Sequence, residues 1–154
     1  MAKMRNSGIL FSAFLCTLFF CACHTESKTT FDAAAQEKLI ERLMEEQAVS
    51  WNNNDLPGFM RHYWNDDSLR FVGRRGLTYG WQTTLDNYQK SYPDKAAMGK
   101  LKFTNLMIDV LDSTNAFVIG KFEVFRESDT LAGHYTLLWK KMKGNWFIVA
   151  DHSS

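Results

Sequence analysis

Asp151 and His152 stand next to each other near the end of the chain. A carboxylate beside an imidazole is a pairing that can accept and donate protons. Histidine titrates near neutral pH, so His152 needs little tuning to act as a general base. Tyr135 is the candidate catalytic partner, and Tyr63 and Tyr79 are further polar groups that a pocket could use. No Gly-rich phosphate loop, nucleophile elbow or zinc-ligand spacing accompanies them. No cofactor and no metal is expected.

These residues are positioned by a hairpin. Tyr135 to Met142 reads as one strand, Lys143-Gly144 as a two-residue turn, and Asn145 to His152 as the return strand. With that turn Met142 pairs with Asn145, Trp139 faces Ile148, Leu137 faces Ala150, and Tyr135 faces His152. Alternation then places Tyr135, Trp139, Ile148 and His152 on one side of the sheet. Asp151 falls on the other side with Thr136, where it would meet a dimer contact or cap a turn. In this register Asp151 does not orient His152 as a triad member would. His134 and His152 also lie on opposite faces, which argues against a shared metal. A loop one residue longer would shift every pair. His152 has a plainer reading too, as a hydrogen-bonded residue closing a strand end.

The rest of the chain supplies the layers around this hairpin. Leu39, Ile40, Leu43, Met44, Gln47, Ala48 and Trp51 recur at helical spacing, predicting a helix from Asp32 to Asn52. Asp55 is an N-cap for a second helix carrying Phe59, Met60, Tyr63 and Trp64. A short strand follows at Ser68 to Val72, and Gly73, Gly76 and Gly80 mark an irregular connection. Trp81 to Tyr92 is helical again and stops before Pro93. From Lys100 the period changes to two, with turns at Asp112-Ser113, Ser128-Asp129 and Lys143-Gly144. About three N-terminal helices followed by long antiparallel strands is an α+β pattern. A curved sheet closed by helices leaves a cavity between the layers, a common place for a small ligand. Trp51, Tyr63, Phe71, Tyr79, Trp139 and Ile148 are the candidate pocket residues, with Arg74 and Arg75 able to hold an anion at its mouth. Core packing is the alternative role for the aromatics. The second sheet face is also apolar, and a second copy of the chain is the simplest cover for it.

Residues 1–22 read as a secretory signal: Lys3 and Arg5 precede an apolar run from Ile9 to Ala22. That run is shorter than the roughly 20 apolar residues that span a bilayer. All three cysteines, Cys16, Cys21 and Cys23, fall in or beside it, so cleavage after Ala22 leaves one thiol and no internal disulfide. Phe20-Cys21-Ala22-Cys23 resembles a bacterial lipobox, which implies acylation of Cys23 and an exported protein anchored to a membrane of the cell envelope. Ordinary cleavage nearby would instead release a soluble protein. Residues 23–31 are a polar tether, and 32–154 form the folded domain. The 154-residue chain carries 18 basic and 17 acidic residues. Losing Lys3 and Arg5 leaves 16 against 17, a net charge of −1. Such a balance has no electrostatic footprint for nucleic acid.

Further motifs connect this layout to a known family. Trp51 through Leu56, Tyr63 through Asp67, Tyr79-Gly80-Trp81, Gly133 through Thr136 and Gly144 through His152 together resemble the nuclear transport factor 2-like superfamily, closest to its SnoaL-like group. The resemblance runs from about Gln36 to Ser154. It implies a cone-shaped α+β barrel with a central pocket, and frequent homodimers. The superfamily holds both enzymes and non-enzymatic domains, so fold leaves function open. Its ketosteroid isomerase chemistry uses a base carboxylate after the first strand and an oxyanion hole of a protonated carboxyl and a tyrosine. Phe71-Val72-Gly73-Arg74, Gln47 and the strand from Tyr135 to Met142 do not supply those parts.

Three functions are therefore expected, in this order. The first is a membrane-anchored, dimeric envelope protein that binds a small, mostly apolar molecule. The second is an enzyme of the same fold with His152 as general acid/base. The third is a structural dimer whose cavity is filled by its own aromatics.

Overall fold

The computed structural model describes Met1 and residues 31–154. The signal segment, the acylation site Cys23 and the tether up to Thr30 lie outside the described residues. Residues 31–154 form one compact unit.

Helix α1 (Ala33–Asn52) starts where the Asp32 side chain accepts from the Ala35 amide at 3.0 Å. Its buried residues Ile40, Met44, Gln47 and Trp51 follow steps of three and four, so one stripe faces the sheet. Asp55 caps the short α2 (Leu56–Phe59), which tightens into a 3-10 turn at Met60–His62. The chain then becomes extended at Tyr63, and the Trp64 amide donates to the Ile148 carbonyl at 2.9 Å. That contact fixes the segment against the last strand.

Strands β1 (Arg70–Gly73) and β2 (Gly76–Tyr79) form a tight hairpin around Arg74-Arg75, where a loop was expected. Helix α3 (Trp81–Ser91) agrees with its predicted span, and a further short helix, α4 (Lys95–Met98), is capped by Asp94. Four long strands follow: β3 (Lys100–Val110), β4 (Asn115–Phe125), β5 (Thr130–Met142) and β6 (Asn145–Ser153). The sheet order is β2-β1-β6-β5-β4-β3, antiparallel except where β1 runs parallel to β6.

Across β4 and β5 two glycines stand opposite aromatic residues. Gly120 pairs with Tyr135 and Gly133 with Phe122, a reciprocal glycine–aromatic arrangement two residues apart. A Cβ on Gly120 would stand 2.2 Å from the Tyr135 ring, and one on Gly133 would stand 2.8 Å from Phe122. Gly120 thus leaves room for the Tyr135 ring, and Gly133 for both the Phe122 ring and the Ser154 carbonyl, which would stand 2.2 Å from its Cβ. Ile40, Met44, Trp139 and Ile148 are almost fully buried between α1 and the sheet. The cavity lies on the same side of the sheet, at the end away from the Lys143-Gly144 turn.

Candidate functional site

The terminal hairpin begins as expected and then departs. Lys143 (φ 51°) and Gly144 (φ 84°) form the two-residue turn, and Met142–Asn145, Lys140–Phe147 and Trp139–Ile148 pair as predicted. Between Leu138 and Trp139 the register shifts, so Leu138 pairs with Ala150 and Val149 is left as the extra residue of a β-bulge. Every later pair moves by one. Leu137 faces Asp151, Thr136 faces His152, and Tyr135 faces Ser153.

The bulge exchanges the two residues that looked most like chemistry. Asp151 turns into the cavity and is 4% exposed, whereas His152 turns outward and is exposed. The expectation that His152 lines the pocket is therefore corrected, as is the assignment of Asp151 to the outer face. His134 and His152 share that outer face instead of opposing ones. Among the described residues no three His, Cys, Asp or Glu side chains come together as a metal site would need.

Around Asp151 the cavity holds a short polar network. Tyr63 donates to Asp151 Oδ2 at 2.6 Å, and the Ser153 hydroxyl donates to Oδ1 at 2.6 Å. Burial pushes the Asp151 carboxyl up to about 6, against these two hydrogen bonds, which favour the ionised form. Tyr63 is held well above its ordinary value, first by burial and then by the Asp151 charge. Tyr88 is raised for the same two reasons, in the same order. Tyr135 donates separately to Asn105 Oδ1 at 2.6 Å, and burial, with Asp151 as a second cause, raises its phenol too. Asp151 is therefore a carboxyl that changes protonation close to neutrality, with a phenol that stays protonated beside it. A pair of that kind can accept a proton from a bound molecule or hold its polar group.

Aromatic rings make up much of the remaining wall, interrupted by Gln47, Thr84 and Asn87. Trp51 meets Phe59 at 5.1 Å and Tyr92 at 4.8 Å between ring centroids, and Phe59 meets Tyr88 at 5.3 Å. These edge-on contacts make a rigid aromatic wall opposite the sheet. The cavity volume is about 480 Å³, within the range of small-molecule sites. Arg74, Arg75 and Arg126 stand among its lining residues.

Of the expected pocket residues, Trp51, Tyr63 and Phe71 line the cavity, as does Tyr135, the expected catalytic partner. Trp139 and Ile148 lie on the correct sheet face but are fully buried in the core beyond it. Tyr79 is 56% exposed, because alternation in β2 turns its neighbour Thr78 inward instead. The carboxylate that lines the cavity, Asp151, comes from β6. Sequence alternation placed Asp151 on the outer face because it carries no signal for the register shift between Leu138 and Trp139.

No family model and no curated protein matches the chain. Solved structures do. A nuclear transport factor 2-like protein of unknown function from Shewanella oneidensis is 37% identical, with a TM-score of 0.73, and the match covers 79% of this chain and 98% of that one. A domain of unknown function with a cystatin-like fold from Nostoc punctiforme is 14% identical with a TM-score of 0.67, covering 80% of this chain and 78% of its own. A ketosteroid isomerase-like protein from Erwinia carotovora atroseptica is 17% identical with a TM-score of 0.61, covering 77% and 95%. The last two are likenesses of fold alone.

Proposed function

The chain belongs to the nuclear transport factor 2-like superfamily, and on that premise we propose that it binds a small, mostly apolar molecule in its central cavity. The observation that carries this reading is a cavity of about 480 Å³ that stays open although aromatic side chains surround it. Trp139, which could have filled it, is packed into the core instead. That removes the main support for a purely structural, self-filled domain. The Asp151–Tyr63 pair gives the bound molecule a polar end to meet, while Trp51, Phe59 and Phe71 receive its body.

A second reading is proton transfer, and one observation favours it. The Asp151 carboxyl is poised at about 6 beside the Tyr63 hydroxyl, inside the cavity. Asp151 takes the role of base that His152 was expected to fill, and Tyr63 can hydrogen-bond an oxygen that gains charge. Activity by this route rises with pH as Asp151 loses its proton and is abolished in Asp151→Asn.

The envelope setting belongs to the same proposal: export through residues 1–22, acylation at Cys23, and pairing of two copies through the outer sheet face. Leu106 at 56% and Met107 at 39% exposure support an apolar patch on β3. Metabolic labelling with a fatty acid in wild type and Cys23→Ala tests the anchor, and analytical ultracentrifugation tests the dimer. For the central reading, native mass spectrometry of purified protein is followed by thermal-shift screening against envelope metabolites. A copurifying small molecule or a ligand-dependent rise in melting temperature is expected; the absence of both contradicts binding.

A further inference from the structure

Arg74 and Arg75 form the tip of the β1–β2 hairpin and line the cavity where it opens. Arg126 lines the same region from the end of β4. Its guanidinium is already engaged: Nε donates to Asp129 Oδ1 at 2.6 Å and an Nη donates to Oδ2. Among the described residues no ion pair engages Arg74 or Arg75. Arg75 makes only a long 3.5 Å contact to the Ser91 hydroxyl. The Arg126 and Arg74 charges also act on the Tyr92 phenol, opposing the burial that raises it, so charge from two sides reaches one edge of the cavity. Among the described residues the only carboxylate side chain lining the cavity is Asp151, held by Tyr63 and Ser153.

We propose that the ligand is an amphipathic organic anion, with its apolar body among the aromatics and its carboxylate, sulfonate or phosphate head at Arg74 and Arg75. The proposal rests on the binding reading above and narrows it to a charge type. An apolar molecule without an anionic head leaves two guanidiniums at the opening with nothing to pair. Arginine's planar fork makes two parallel hydrogen bonds to a carboxylate or sulfonate, which fixes the head as well as attracting it. A hairpin tip carrying two such residues is a cationic rim on an apolar hole.

Two fluorescent probes with the same body test this: N-phenyl-1-naphthylamine, which is neutral, and 1-anilinonaphthalene-8-sulfonate, which adds one sulfonate. Wild-type protein is expected to bind the sulfonate about tenfold more tightly, the worth of one charge-assisted contact. In Arg74→Gln/Arg75→Gln that advantage disappears while the neutral probe binds as before. Lys140→Gln/Lys143→Gln, at the opposite end of the sheet, removes the same charge and leaves the advantage intact. Rising salt weakens only the sulfonate. Equal affinity of the two probes for wild type, or an equal effect of the lysine variant, overturns the anionic head and leaves the binding reading standing. If neither probe binds, the binding reading itself fails and carries this one with it.

Discussion

The Tyr63 hydroxyl donates to Asp151 Oδ2 at 2.6 Å, joining residues 88 positions apart in the chain. Two backbone features bring them together. The extended segment after the 3-10 turn is anchored on Ile148, and the bulge just beyond Ile148 turns Asp151 to the same side. The polar centre of the cavity therefore depends on one irregularity in one strand.

The buried Asp151 carboxyl gives stability a definite pH dependence. Its proton is held to about pH 6 in the fold, against about 3.9 for an unperturbed Asp. The folded state thus binds more protons in that interval, so this contribution is full below the lower value and is lost as pH rises through the upper one. Asp151→Asn removes it. The stability of wild type relative to this variant is expected to fall by about 3 kcal/mol from acid to neutral pH. Parallel denaturation curves across that range contradict the assignment.

His152 faces outward, so its removal should not reach the cavity. His152→Ala is expected to leave affinity for N-phenyl-1-naphthylamine within about twofold of wild type, well under the tenfold that one good contact is worth. Asp151→Leu, which deletes the cavity's carboxyl, should change both the affinity and its pH dependence. A large effect of His152→Ala alone would restore the unbulged register.

Gly120 makes room for Tyr135, since a Cβ there would stand 2.2 Å from the ring. Gly120→Ala is expected to destabilise by about 1–3 kcal/mol through overpacking. The same change in a Tyr135→Ala background should cost much less, because the clashing ring is gone. Additive effects in denaturant titrations would show that the glycine serves something other than that ring.

Two buried tryptophans should respond differently to loss of the indole N–H. Trp51 Nε1 donates to the Met98 carbonyl at 2.9 Å, whereas Trp139 Nε1 is buried with no partner among the described residues. Trp51→Phe leaves that carbonyl short of a donor, while Trp139→Phe removes an unsatisfied group. The first is expected to cost about 1 kcal/mol more than the second, measured by equilibrium unfolding. The reverse order contradicts the hydrogen-bond assignments.

Much of the fold was legible in the sequence for physical reasons. The α1 face, the Asp55 cap, the Trp81 helix and the three late turns each depend on local pattern or side-chain chemistry, and each appears where that pattern placed it. The β1–β2 hairpin was hidden because Gly73-Arg74-Arg75-Gly76 looks like a loop unless the edge strand it creates is known. The site was legible in part: Trp51, Phe71 and Tyr135 follow helix and strand periodicity into the cavity, whereas Tyr63, expected on a helix, reaches it from the extended segment after the 3-10 turn. Tyr79 was lost with the missed strand. Asp151 and His152 were interchanged because strand parity is a running count, and one bulge at Val149 resets it.

The central claim, that the cavity is a binding site, is met most directly by a fluorescence titration with N-phenyl-1-naphthylamine. The wild type is compared with Asn87→Trp, which places an indole into the cavity from the half-buried lining face of α3. Saturable one-site binding to wild type is predicted, falling at least about tenfold in a variant whose melting temperature is unchanged. Equal binding to both proteins, or no saturable binding to the wild type, would contradict it.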